Sequence, residues 1–164
     1  MVPDHGKLSL SVPATFGIST QTLAEPPSVI LQIRPATGNA FAAKITVVWL
    51  DSSNPNRATP GAIRTITQNA GMARLDTAVE KTITIQDMNG PQTVAAYFVL
   101  TDRNPKPGEF KYLTQGTYSA GELMGAFMIL SNDPNAPEVS QTLRMLKAAT
   151  YSRAGRTANP SGPK

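Results

Sequence analysis

The chain has no cysteine and a single histidine, His5, in its 164 residues. Disulfides, thiolate metal sites, cysteine nucleophiles and thiol redox chemistry are therefore excluded. One histidine cannot build a multi-histidine metal centre, and a Ser-His-Asp triad would require the N-terminus to fold into a cleft. These absences weigh against catalysis.

Charged residues and long apolar runs are also scarce. Charged residues make up 16% of the chain, against about 25% in an average soluble domain. Its 15 lysines and arginines and 11 acids give a formal net charge of +4. The cations are scattered, so we expect no nucleic-acid binding, which favours clustered cations. No apolar run approaches the roughly 18 residues needed to cross a bilayer, so we expect no membrane span.

The first third of the chain shows one strand and one hairpin. Apolar and polar residues alternate over 8–12, which predicts an edge strand. Residues 14–27 show little periodicity and predict irregular structure, with room for one helical turn. Two apolar runs, 29–33 and 44–50, are joined by a short turn and predict a hairpin.

A helix and a further strand are predicted next, after a polar loop over 51–58. The Thr-Pro pair at 59–60 combines an N-cap residue with proline at the first helical position. Apolar residues then recur at helical spacing, although Gly71 weakens such a helix by about 1 kcal/mol relative to alanine. Alternation over 81–86 predicts a strand, and Asn-Gly at 89–90 is a hairpin signal.

Three neighbouring strands are predicted over 93–101, 110–119 and 122–131. Their short connections require antiparallel pairing. The runs 94–100 and 123–130 are apolar at consecutive positions, so both faces of these strands must be covered. The sequence therefore predicts an α+β fold, a three-layer α/β/α sandwich around a mostly antiparallel sheet of about six or seven strands.

The C-terminal region predicts a helix followed by a tail. Asp133 or Asn135 is the expected cap, Pro134 or Pro137 lies in the first turn, and basic residues continue towards Arg153. Residues 154–164 are rich in Gly, Pro, Ser and Arg and predict disorder. The expected organisation is one globular domain over 1–153 with a disordered tail over 154–164.

The loop after residue 101 is the main candidate binding site. It combines acidic and basic side chains with two stiffening prolines, and exposed loops on rigid sheets are common recognition sites. Its mixed charge suits a protein partner better than a polyanion. A solvated hairpin end is the alternative interpretation. The candidate residues are Asp102, Arg103, Lys106, Glu109 and Lys111.

A second candidate site is a pocket around Tyr118 and Glu122. Glu122 opens an otherwise apolar strand, and an isolated carboxylate there could act as an acid or base. A solvated carboxylate at a strand end is the competing interpretation. No catalytic residue and no metal ligand is assigned.

Four segments carry a family resemblance. Residues 5–14 predict a short hydrophobic strand that runs into proline, and Phe16 stands near the position where the family has tryptophan. The similarity to the same family continues in the blocks 109–116 and 127–132 and in residues 145–149 of the last predicted helix. The chain resembles the PsbP-like fold family, which includes the Ran-binding Mog protein of yeast and small exported bacterial proteins. The resemblance implies an α/β/α sandwich and an exported accessory or binding protein without a cofactor.

Two function hypotheses follow. The first is a non-catalytic interaction or accessory module that binds a protein or envelope partner through hairpin loops, in the periplasm or outside the cell. The alternative is a small-ligand-binding protein or a metal-free hydrolase that uses carboxylates.

Overall fold

The computed structural model of the chain describes residues 6–25, 27–49 and 59–153. Nine strands and two helices lie within these ranges. In chain order they are β1 (Lys7–Ser9), β2 (Phe16–Leu23), β3 (Ser28–Pro35), β4 (Phe41–Trp49), α1 (Pro60–Met72), β5 (Gln86–Asp87), β6 (Thr93–Thr101), β7 (Tyr112–Ala120), β8 (Leu123–Ser131), α2 (Pro137–Lys147) and β9 (Thr150–Ser152). His5, the polar loop over 51–58 and the tail over 154–164 lie outside the described residues.

Seven of the strands form one antiparallel sheet in the order β2-β3-β4-β8-β7-β6-β5. The predicted hairpin of β3 and β4 and the predicted antiparallel strands β6, β7 and β8 are confirmed. β1 pairs with β9 in a separate two-stranded sheet. The α+β class and the mostly antiparallel sheet are therefore as the sequence predicts.

One face of the sheet carries the main core. In β4, Ile45 and Val47 are 0% and 2% exposed, and Ile45 stands opposite Phe127 of β8. The side chains of Met145 and Leu146 from α2 pack in the same cluster. This side is called the α2 face below.

The opposite side, called the α1 face, carries a smaller cluster. Phe98 and Leu100 of β6 pack there with Ala78, and Ala70 of α1 joins them. The Thr67 hydroxyl of α1 contacts the Ala96 carbonyl at 3.3 Å. α1 covers β6 and β7, but on β8 the side chain of Ala126 is exposed. The prediction that β8 is covered on both faces is therefore wrong within the described residues, since part of its α1 face is open.

The two helices start differently, and only the cap of α1 was predicted correctly. Thr59 caps α1, because its hydroxyl accepts a hydrogen bond from the Ala62 N–H at 3.1 Å. In α2 the N-cap is Ala136, which provides no side-chain bond. Asp133, one of the expected caps, accepts from the Asn135 N–H instead. The helix also ends at Lys147, well before Arg153.

Two strand predictions need correction. Residues 16–23, expected to be irregular, form the eight-residue strand β2. The alternating stretch 81–86 contributes only Gln86 to a strand. Ile83 and Ile85 instead pack against the cluster of Phe98 and Leu100, which explains their alternation without strand pairing.

Candidate functional site

The predicted binding loop connects β6 to β7 and is held at its base. The Asp102 N–H donates to the Lys111 carbonyl at 2.8 Å. Arg103 is anchored twice, by its N–H to the Thr77 carbonyl at 3.0 Å and by its guanidinium to the Ala78 carbonyl at 2.7 Å. The loop is thus tied to the segment that follows α1.

Both acidic side chains of the loop accept hydrogen bonds from its backbone. The Asp102 carboxylate accepts from the Asn104 N–H at 2.9 Å, and the Glu109 carboxylate accepts from the Lys106 N–H at 2.9 Å. Three of the five predicted residues, both acids and Arg103, therefore shape the loop. Lys106 is exposed, and its ammonium group makes no hydrogen bond or ion pair within the described residues.

A trough lies beside this loop on the open part of the α1 face. Its floor is aliphatic and follows the register of the sheet: Leu130 of β8 stands opposite Leu113 of β7, and Leu113 stands opposite Leu100 of β6. Met128 lies one row further along. Two adjoining concavities of about 520 and 500 Å³ share Met128 and Leu130. We call the two together the trough.

Four cations surround the floor of the trough. Arg34 and Lys44 lie on the β3–β4 side, and Arg74 and Lys111 lie on the side of α1 and the loop. Two ion pairs, Arg64–Asp87 and Arg153–Glu122, occur among the described residues, and neither involves these four side chains. The Lys111 ammonium does lie 5.6 Å from the Tyr112 ring centroid, at cation–π distance.

The local surroundings of the trough carry an excess of positive charge. Asp102 is the one acidic residue lining it within the described part of the chain, and its carboxylate is engaged by the Asn104 N–H. An apolar floor with a cationic rim can accept a molecule that has both apolar groups and negative charges.

The structure places Tyr118 and Glu122 in different surroundings. Tyr118 is 0% exposed, and its hydroxyl has no hydrogen-bond partner among the described residues. Burial raises the pKa of the Tyr118 phenol far above its ordinary value. The carboxylate of Glu122 accepts from the Tyr151 hydroxyl at 3.3 Å and pairs with Arg153. No hydrogen bond joins the two predicted pocket residues.

A third concavity lies between α2 and the sheet and encloses about 630 Å³. Tyr97, Val99 and Leu143 give it apolar walls. The Tyr97 hydroxyl donates to the Gln86 side chain at 2.7 Å, and partial burial raises the pKa of Tyr97. Thr114, which is 4% exposed, also lines this cleft. Neither Tyr118 nor Glu122 lines any of these three concavities.

The described ranges contain neither a metal-binding cluster nor a membrane-spanning helix. Within residues 6–25, 27–49 and 59–153, no group of three or more His, Asp or Glu side chains is arranged to hold a metal ion. No helix in those ranges is both long and apolar enough to cross a bilayer.

Arg34 and Lys44, on the β3–β4 side of the trough, were not predicted as site residues from the sequence. Lys44 interrupts the apolar residues of β4, and a period of two places it on the face opposite Ile45. This pattern predicts an exposed lysine, but not its neighbours. Lys44 lies beside Met128 because β4 pairs with β8, a pairing between segments about 80 residues apart.

Comparison with known proteins gives no relative: no protein-family model, curated protein or solved structure matches the chain. The resemblance to the PsbP-like family therefore stays a prediction.

Proposed function

We propose that the chain is a non-catalytic interaction module that binds an acidic, amphipathic segment of a protein partner in the trough. The observation that carries the proposal is the rim of four cations, Arg34, Lys44, Arg74 and Lys111, around the aliphatic floor. Lys106 on the adjacent loop extends the cationic surface.

The floor and the rim have different roles in this proposal. Burying aliphatic side chains against Leu113, Met128 and Leu130 contributes affinity at about 25 cal/mol per Å² of apolar surface, before the costs of association. The cations favour acidic partners and speed the encounter, because exposed charges act mainly on specificity and association rate. Nucleic acid fits less well, because single strands are held by stacking on several aromatic side chains, and Phe110 is the one aromatic residue that lines the trough within the described part of the chain.

The layered fold and the family resemblance belong to the same proposal. We propose a three-layer α/β/α sandwich of the PsbP-like type, supported by the contacts of α1 and α2 with opposite faces of the sheet. An exported accessory protein is the role that this resemblance implies. Detection of the native protein outside the cytoplasm by cell fractionation would support export, and its recovery only in the cytoplasmic fraction would contradict it.

A defined peptide tests the trough directly. Fluorescence anisotropy would compare a labelled 12-residue peptide of alternating Glu and Leu with a Lys–Leu peptide of the same length. We expect the parent chain to bind the acidic peptide and not the basic one. The double variant Arg34→Glu with Lys44→Glu exchanges both cations of the β3–β4 side. It should weaken binding of the acidic peptide about tenfold or more, because each new glutamate repels the glutamates of the peptide.

The control exchanges two exposed lysines that do not line the trough, Lys7→Glu with Lys81→Glu. It changes the net charge by the same amount, so it should leave the affinity within about threefold if the trough is the site. Equal weakening by both double variants would show general charge attraction and would contradict the proposal. Failure of the parent chain to bind the acidic peptide would also contradict it.

The cleft under α2 supports a second candidate, a small neutral ligand. Thr114, which is 4% exposed, lines the cleft and carries a hydroxyl with which a polar group of a ligand could pair. Ligand-observed NMR with a fragment library would reveal such binding, and Val139→Trp should abolish it by filling the cleft. Fragments that bind the parent and the filled variant equally would exclude this cleft.

A further inference from the structure

The two edges of the seven-stranded sheet differ in how they are protected. At one edge, β5 has only two residues, and its Asp87 forms an ion pair with Arg64 of α1 at 2.9 Å. At the other edge, β2 has eight residues, and all of them after Phe16 are exposed. No strand within the described residues pairs with the outer side of β2.

β2 has none of the usual devices that block strand addition. Proteins protect an edge with lysine or another charge, with proline, with a bulge or with a very short strand. The sequence of β2, FGISTQTL, contains no charged residue and no proline. Its register with β3 runs without interruption from Phe16 to Leu23. Two apolar side chains are also open, with Ile18 46% and Leu23 36% exposed.

We propose that β2 is the surface on which a second copy of this chain pairs, antiparallel and about a two-fold axis. Such a contact satisfies the backbone groups of both edges at once, and identical strands match in length. The centre of β2 supports self-pairing. Ser19, Thr20 and Gln21 are uncharged polar residues, and a two-fold axis through Thr20 places each Thr20 opposite its copy, which gives a favourable Thr–Thr pair.

Charge does not oppose a second copy as the occupant of β2. The chain has a net charge of +4, so most surfaces of two copies repel each other weakly, but β2 brings no charge to the contact. A foreign strand would be selected by charges or by deep side-chain pockets, and β2 offers no charge to select it.

The pairing geometry determines how the two troughs are arranged. Directly paired residues of antiparallel strands point to the same side of a sheet, so the two-fold axis is perpendicular to it. Two seven-stranded sheets would join into one sheet of fourteen strands, with both α1 faces on the same side. The dimer would then present two troughs in one direction. The pairing itself does not depend on what the troughs bind.

Sedimentation equilibrium of the full chain tests the pairing. We expect a reversible dimer, with a dissociation constant in the micromolar range typical of small interfaces. Thr20→Lys, at the middle of β2, places two lysines near the two-fold axis and should raise the dissociation constant at least about tenfold. Thr65→Lys, on the exposed side of α1, makes the same chemical change away from β2 and should leave the dimer intact.

A mixing experiment separates charge repulsion from misfolding. Thr20→Glu should also weaken the dimer, but an equimolar mixture of Thr20→Lys and Thr20→Glu should restore a dimer of mixed composition, because opposite charges then face each other. Restored dimer in the mixture would support pairing through β2. A monomeric parent at about 100 μM, well above the expected constant, would overturn the proposal. An oligomer larger than a dimer, or a dimer unaffected by Thr20→Lys, would do the same.

Discussion

Gly90 lies against the carbonyl group of Lys147 so closely that a Cβ atom on Gly90 would stand 1.8 Å from the Lys147 oxygen. The same oxygen accepts a hydrogen bond from the Thr93 hydroxyl at 2.9 Å. The turn between β5 and β6 therefore docks on the C-terminal end of α2. Gly90 does not have a positive φ, so this position requires glycine for close approach.

Gly90→Ala should destabilise the fold. The new methyl group cannot be accommodated without moving the turn away from α2, because the obstacle is backbone, and we expect a loss of about 2–3 kcal/mol. Chemical denaturation followed by circular dichroism measures the free energy of unfolding. Gly61→Ala is the control, since a Cβ there meets nothing within 4 Å, and we expect a gain of up to about 0.5 kcal/mol. A neutral Gly90→Ala would contradict the contact.

The central strands β7 and β8 could be predicted from the sequence because the signals for them are local. β7 and β8 are joined by a tight turn, and Gly121 in that turn has a φ of 59°, which glycine adopts without cost. The exposed edge strand β2 was missed for the opposite reason. Both of its faces are open after Phe16, so it shows no alternation of apolar and polar residues, and alternation is the signal on which a strand prediction rests.

The candidate site was only partly predictable. The loop residues Arg103 and Lys111 could be found from the turn and charge signals of one continuous segment. The hairpin of β3 and β4 was predicted, but Arg34 and Lys44 join the site only through the pairing of β4 with β8. Long-range strand pairing is not encoded in any short window of the sequence, so this half of the trough could not be derived from it.

Tyr118→Phe should stabilise the protein. The Tyr118 hydroxyl is buried without a hydrogen-bond partner among the described residues, and an unsatisfied buried hydroxyl costs about 1–3 kcal/mol. Removing it should raise the free energy of unfolding by about 1 kcal/mol. Tyr97→Phe is the matched control, because the Tyr97 hydroxyl donates to Gln86, and its loss should cost about 0.5–1 kcal/mol. Destabilisation by Tyr118→Phe would point to an unrecognised partner of the hydroxyl.

Alkaline pH gives a second test of Tyr118. Burial raises the pKa of Tyr118 in the folded state, so the unfolded chain loses this proton first, at a pH near the ordinary tyrosine value of about 10. Below that pH the Tyr118 phenol is protonated in both states and does not make stability depend on pH, whereas above it the stability of the fold declines as the pH rises. The parent should therefore lose more stability than Tyr118→Phe between about pH 9 and 11. Equal losses in both proteins would contradict the burial of the phenol.

Thr59→Ala tests the cap of α1. The hydroxyl of Thr59 satisfies the N–H of Ala62, and removal of such a cap typically costs about 1 kcal/mol. Thr59→Ser keeps the hydroxyl and should retain most of the stability. Thermal unfolding of both variants measures the difference, and equal melting temperatures for Thr59→Ala and Thr59→Ser would show that the cap contributes nothing.

Glu80 should make the protein sensitive to acid. Burial acts to raise the pKa of Glu80, but hydrogen bonds from the Thr101 N–H and hydroxyl, each 2.8 Å long, hold it below its ordinary value. A carboxylate with a lowered pKa stabilises the fold above its unfolded pKa, about 4.3, and this contribution is lost as the pH falls towards the folded pKa. Glu80→Gln should therefore be less stable than the parent at pH 7, and the difference should shrink below about pH 4. Glu25→Gln removes the same charge from an exposed turn and controls for net charge. A constant difference between Glu80→Gln and the parent from pH 7 to pH 3 would show that the Thr101 bonds do not favour the ionised carboxylate.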